Sequence, residues 1–182
     1  IGATTQDEAG DGSDGVGIRV EAGALLTTNS NEIASNAFLN VWAEEADLHM
    51  SGDQITGGLY GIASVYGDLT LSGLTITVGF LYGVFAVTQT FIDISDTQVT
   101  GDPEATQNVP DDEDGVGYSE WGGDDYGYAG TGLFLVADEI QVSTLHVEGY
   151  NNAGLLTAPF DSGTATIDGL TIDNTGRHGI YI

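Results

Sequence analysis

The chain has 182 residues, 28 of them acidic, against two arginines (Arg19 and Arg177) and no lysine, for a net charge of −26. Such a surface repels phosphate backbones and excludes nucleic-acid binding as a reading; it also disfavours polyanionic substrates. With no cysteine there is no disulfide framework, and no run of residues is long and apolar enough to span a membrane.

Residues 1–14 form a polar, acidic lead-in. The run from Ala9 to Gly17 reads as one copy of the calcium-binding nonapeptide GGxGxDxUx, with Ala9 in place of the first glycine. In tandem arrays that frame sets carboxylates and carbonyls around Ca²⁺, which makes Asp11 and Asp14 candidate ligands. A lone copy lacks the neighbouring turn, so a solvated acidic loop is the competing reading.

From residue 15 a short alternating template governs the chain. It is clearest in Asp68–Thr77, where Leu69 and Leu71 alternate with polar neighbours, Ser72-Gly73 turns, and Leu74 and Ile76 follow. Leu48, Met50 and Ile55 occupy the places of Leu69, Leu71 and Ile76, 21 residues earlier. Ile92, Ile94 and Val99 sit 23 later, Ile140, Val142 and Val147 a further 48, and Ala165, Ile167 and Ile172 a further 25. A weaker copy holds Leu26, Thr28 and Ile33. The corner recurs as Ser51-Gly52, Ser95-Asp96, Ser143-Thr144 and Asp168-Gly169. Ahead of each copy stands a second apolar element: Gly17–Val20, Phe38–Val41, Gly61–Val65, Gly83–Val87, Gly132–Val136 and Gly154–Thr157, with Gly179–Ile182 opening a seventh. Each period thus holds about three short strands. Trp42–Leu48 could make a helical turn, but the period-2 frame around it favours a corner.

A fixed period in the 20s with three strands per repeat means a solenoid. Leucine-rich repeats need an LxxLxLxxN frame, which is absent. The pattern resembles the right-handed parallel β-helix repeat (pectin-lyase-like) family over residues 15–182, apart from an insertion. The expected fold is all-β: a right-handed parallel β-helix of six to seven coils, roughly 30 Å long at a strand spacing of about 4.8 Å. The resemblance implies a secreted or cell-surface protein. The absence of capping helices leads us to expect a segment of a longer protein, or an assembly whose coil ends and faces meet protein partners or further copies.

The insertion, residues 102–129, breaks the frame and adds acidic residues, among them Asp111, Asp112, Asp114, Asp124 and Asp125, interleaved with Tyr118, Trp121, Tyr126 and Tyr128. Crowded carboxylates call for a cation, so these five aspartates are candidate Ca²⁺ ligands and the aromatics candidate contacts for a partner. The EF-hand frame fails, because position 12 counted from Asp112 is Gly123. The charge can equally express adaptation to salt. Tyr60, Tyr66, Phe80, Tyr82 and Phe85 cluster in coils three and four. Tyr60 and Tyr82 are one period apart and are expected to stack along one face, as a core or corner ladder or, if exposed, as a surface suited to carbohydrate. Asn36 and the pair Asn151-Asn152 belong at polar corners, and His146 on an outward strand position.

For catalysis the sequence offers little. Gly123-Asp124-Asp125 and Gly176–Gly179 loosely resemble two motifs of polygalacturonase-type hydrolases on this fold, but NTD and RIK are missing and the aspartate pair is 53 residues from His178. Lyase chemistry needs a basic residue beside calcium, and neither arginine neighbours an acidic cluster. No catalytic residue is assigned. The reading is a non-enzymatic secreted or surface β-helix acting as stalk, adhesin or assembly subunit, with a carbohydrate-active or glycan-binding β-helix as the alternative.

Overall fold

The computed structural model describes residues 15–36, 38–78, 81–101, 130–150, 152–160, 162–175 and 178–182. Every element among them is a strand. In chain order they are β1 (Val16–Val20), β2 (Leu25–Asn29), β3 (Glu32–Ala34), β4 (Leu39–Glu44), β5 (Asp47–Ser51), β6 (Gln54–Thr56), β7 (Tyr60–Val65), β8 (Leu69–Ser72), β9 (Thr75–Val78) and β10 (Tyr82–Val87). They continue with β11 (Phe91–Gly101), β12 (Thr131–Val136), β13 (Glu139–Glu148), β14 (Ala153–Thr157), β15 (Thr164–Asp173) and β16 (His178–Tyr181).

The strands wind into a parallel β-solenoid of about six turns. Sheet 1 runs β1-β4-β7-β10-β12-β14-β16, one strand per coil. The second face, here sheet 2, stacks β2, β5 and β8 on the first halves of β11, β13 and β15. The third, sheet 3, stacks β3, β6 and β9 on their second halves. All pairings are parallel, as successive turns of one solenoid require.

The register is the one the template spacing dictates. Leu26, Leu48, Leu69, Ile92, Ile140 and Ala165 lie in one column, and Ile33, Ile55, Ile76, Val99, Val147 and Ile172 in another. These columns fill the bore. Leu48, Leu69, Ile55 and Ile76 have no solvent exposure. A one-residue slip would turn every one of these side chains outward, so the alternation itself pins the register.

The recurring corner is a left-handed residue between sheets 2 and 3: Ser30, Gly52, Gly73, Asp96, Thr144 and Gly169, with φ from 49° to 66°. Gly52 donates its N–H to the Ser72 carbonyl at 2.9 Å, and Gly73 to that of Ser95 at 3.0 Å. The inter-coil ladder therefore continues around the bend, which is why the corner favours residues tolerant of positive φ. In the last three coils the strands run through this corner, and β11, β13 and β15 each cover two faces where two short strands were expected.

The sequence reading also missed the packing of sheet 1. Its strands are buried on both faces: β7 and β10 are covered along nearly their whole length. Inward side chains such as Ile62, Val84 and Leu133 join the bore. Outward ones such as Leu39, Ala63, Tyr82 and Phe85 build a second apolar cluster outside it. Runs such as Gly83–Val87 are continuous apolar stretches rather than alternating ones, the pattern of a strand with two dry faces.

Candidate functional site

The outward face of sheet 1 is the most distinctive chemical surface the fold builds. Parallel register sets Tyr60 beside Tyr82, and Phe85 beside Phe134 across the 49 residues that separate them in sequence. Tyr60 and Tyr82 stack with centroids 5.6 Å apart and planes at 23°. Phe85 and Phe134 stack at 5.2 Å and 9°. Tyr82 meets Phe85 edge-on at 5.4 Å, and Phe38 meets Tyr60 likewise at 5.4 Å. Offset stacks and edge contacts are the favourable geometries for aromatic quadrupoles. Leu39, Leu81 and Val65 complete the layer, and Ala63 lies between Trp42 and Phe85 in register.

The expected Tyr60–Tyr82 stack therefore forms, and it points away from the bore. Tyr60 is half-buried, whereas Tyr82 is only 7% exposed and is held among neighbouring rings. The pair contributes packing first. The remaining candidates, Asp11, Asp14, Asp111, Asp112, Asp114, Asp124, Asp125, Tyr118, Trp121, Tyr126 and Tyr128, lie outside the described residues.

Among the buried polar side chains of the described residues, three arrangements stand out, around Asp53, the Asn36–Asn40 pair and Tyr150. The Asp53 carboxylate has no exposure and accepts from the Thr28 hydroxyl at 2.5 Å, the Asn31 backbone N–H at 2.7 Å and Asn31 Nδ2 at 3.0 Å. It ties coil two to coil one, and its hydrogen bonds offset the cost of burial. Asn36 Nδ2 donates to Asn40 Oδ1 at 2.9 Å, while Asn40 Nδ2 donates to the carbonyls of Gly57 and Tyr60. That is the polar corner expected of Asn36, and Asn152 donates likewise to the Thr131 hydroxyl at 3.3 Å.

Tyr150 is the third group. Its ring enters the bore where sheet 3 meets sheet 1, in space left by glycines. A Cβ at Gly83 would lie 2.8 Å from the Tyr150 hydroxyl, and one at Gly101 3.1 Å from two ring carbons. The hydroxyl finds no hydrogen-bond partner among the described residues. Burial pushes the phenol well above its ordinary range.

His146 takes its expected outward place on sheet 3. Its Nε2 lies 3.8 Å from Glu148 Oε2 and 3.8 Å from Asp173 Oδ2. Among the described residues no group of three or more His, Asp or Glu side chains has the arrangement to hold a metal ion. No helix among them is long and apolar enough to cross a membrane.

No protein-family model matches the chain, no curated protein matches its sequence, and no solved structure matches its fold.

Beyond the cluster of Tyr60, Tyr82 and Phe85, the outer layer and the Tyr150 wedge went unread in the sequence. The layer had a signal in the unbroken apolar runs at Gly83–Val87 and Gly132–Val136. Tyr150 had none, since its three glycine neighbours, Gly83, Gly101 and Gly132, come from three other strands.

Proposed function

We propose that the chain is a non-enzymatic β-helix of the right-handed, pectin-lyase-like kind, secreted or held at a cell surface, serving as a rigid stalk, adhesin or assembly subunit. The observation that carries this reading is the continuity of the rod. Each coil passes its apolar columns to the next in unbroken register, from Leu26 to Ala165 and from Ile33 to Ile172. Sheet 1 is packed on both faces, so its outward side chains stiffen the rod as well. Contacts with protein partners or further copies run through coil faces and ends. The charge of −26 keeps neighbouring rods apart where no specific contact exists. Calcium enters this reading as a stabilising ion held by the acidic segments at 11–14 and 111–125.

Two experiments test it. Immunolabelling of intact cells of the native host should find the protein accessible from outside, and a panel of neutral and uronate polysaccharides should release no reducing ends above blank. A purely intracellular location would overturn the surface role. Products whose release stops on substituting one carboxylate would overturn the non-enzymatic reading. For calcium, thermal unfolding with millimolar Ca²⁺ against matched Mg²⁺ and NaCl should show a calcium-specific rise in midpoint. An equal rise with NaCl would assign the acidity to salt adaptation.

The second reading, a glycan-binding or carbohydrate-active β-helix, draws on the outward Tyr60–Tyr82 stack. The burial of Tyr82 leaves only Tyr60 with ring surface to offer, so this reading ranks behind the scaffold.

A further inference from the structure

The corner between sheets 1 and 2 differs from the rest of the rod. Among the described residues before β16, the two most exposed large apolar side chains are Tyr66 at 61% and Leu25 at 57%, and both lie on this corner. Leu25 is in register with Asp47, whose carboxylate accepts the Asp68 N–H at 3.0 Å. Glu45 donates its N–H to the Val65 carbonyl and Tyr66 to that of Val87, so Glu45 and Tyr66 occupy the same corner position in successive coils. Leu25 and Tyr66 are two coils apart, about 10 Å along the axis.

Carboxylates surround this apolar pair. Glu44, Glu45 and Asp47 are exposed and Asp68 is half-buried. The cation described on this part of the rod, Arg19, is already engaged with Glu21 at 3.2 Å. A ring face and a leucine side chain thus stand open to solvent among unneutralised acids. A guanidinium or ammonium group satisfies both features at once, since it lies favourably over a phenol ring and binds a carboxylate beside it. The apolar neighbour of such a group would cover Leu25.

We propose that this corner docks a segment of a partner protein that carries arginine or lysine next to an apolar residue. Charge complementarity selects the cation, and the Tyr66–Leu25 pair sets this corner apart from the general acidity of the surface. The proposal stands whether or not the rod is displayed on a cell.

The test is fluorescence anisotropy of a labelled peptide alternating arginine and leucine, titrated with the full chain at physiological salt. Tyr66→Gly and Leu25→Ser should each weaken binding about three- to tenfold without changing net charge. Phe160→Ser, at an exposed apolar side chain three coils beyond Tyr66 on the same edge of the rod, should leave it unchanged. Tyr66 holds φ of 65°, a conformation that penalises a bulky side chain. Tyr66→Gly should therefore raise the unfolding midpoint, by about 2–4 °C, so its loss of binding cannot be a loss of fold. Three results would each overturn the proposal: no binding by the wild-type chain, equal binding by the Tyr66 and Leu25 variants, or equal binding of a peptide alternating arginine and serine. The last two would reduce the effect to attraction between a polycation and a polyanion.

Discussion

Gly83→Ala tests how closely the faces of the solenoid press together. In each of four coils, the third apolar residue of the template lies against a glycine of sheet 1: Ile76 against Gly61, Val99 against Gly83, Val147 against Gly132 and Ile172 against Gly154. A Cβ at Gly83 would overlap Val99 Cγ1 outright, and would lie 2.8 Å from both the Gly132 carbonyl oxygen and the Tyr150 hydroxyl, where ordinary contact begins at 3.4 Å. One of those atoms is backbone of the next coil and cannot turn aside. Overpacking of this kind costs about 1–3 kcal/mol, with the upper end expected here, while alanine recovers about 0.4–1 kcal/mol by restricting the unfolded chain. The net loss should be about 2 kcal/mol, read as a lower midpoint in urea with an unchanged slope. Pairing it with Val99→Ala should show a favourable coupling of about 1 kcal/mol, because the second change opens the space the first one needs. Gly179→Ala is the internal control, since nothing among the described residues lies within 4 Å of its added Cβ. It should be neutral or slightly stabilising. A Gly83→Ala protein as stable as wild type would refute the close approach, and with it the reason these glycines recur.

Further expectations concern the buried groups. Asp53→Ala strands the Thr28 hydroxyl and two N–H groups of Asn31, and should cost about 2–4 kcal/mol in urea unfolding. Tyr150→Phe removes a buried hydroxyl without a partner and should gain about 1 kcal/mol at neutral pH. Burial raises the folded phenol above its ordinary value of 10.0, so the unfolded chain releases this proton first. The contribution is therefore complete below pH 10 and is lost above it, and the advantage of Tyr150→Phe over wild type should widen there by up to about 1.4 kcal/mol per pH unit. Phe85→Ala should cost about 3 kcal/mol although the side chain points away from the bore, since it is 8% exposed and stacked on Phe134.

The coil was legible because its information is local. Leu69, Leu71 and Ile76 alternate within eight residues, and the same alternation returns at each period, so parallel register follows from counting. The left-handed corner was legible from Ser72-Gly73 and its copies, even where the position holds Asp96 or Thr144. The outer layer was harder to see. Phe85 and Phe134 sit in runs that look like any apolar strand, and only inter-coil register places one ring over the other. Asp53 was hidden by the abundance of acid: nothing local marks one aspartate among so many as buried. Tyr150 carries no local mark, because the glycines that make room for its ring belong to other strands. Tyr66 is close to Tyr60 in sequence, yet it is itself the left-handed corner residue after β7, and that turn directs it to solvent.

In-register stacking of successive coils is the claim on which the rest depends, and cysteine pairs test it directly because the native chain has none. Thr56, Thr77 and Thr100 form one outward column on sheet 3, one residue per coil. The variant Thr77→Cys with Thr100→Cys should oxidise readily to a disulfide, its Cα atoms standing about one strand spacing apart, within the range a disulfide spans. The variant Thr56→Cys with Thr100→Cys, two coils apart, should stay reduced under the same conditions. Cross-linking of the second pair in preference to the first would contradict the solenoid register.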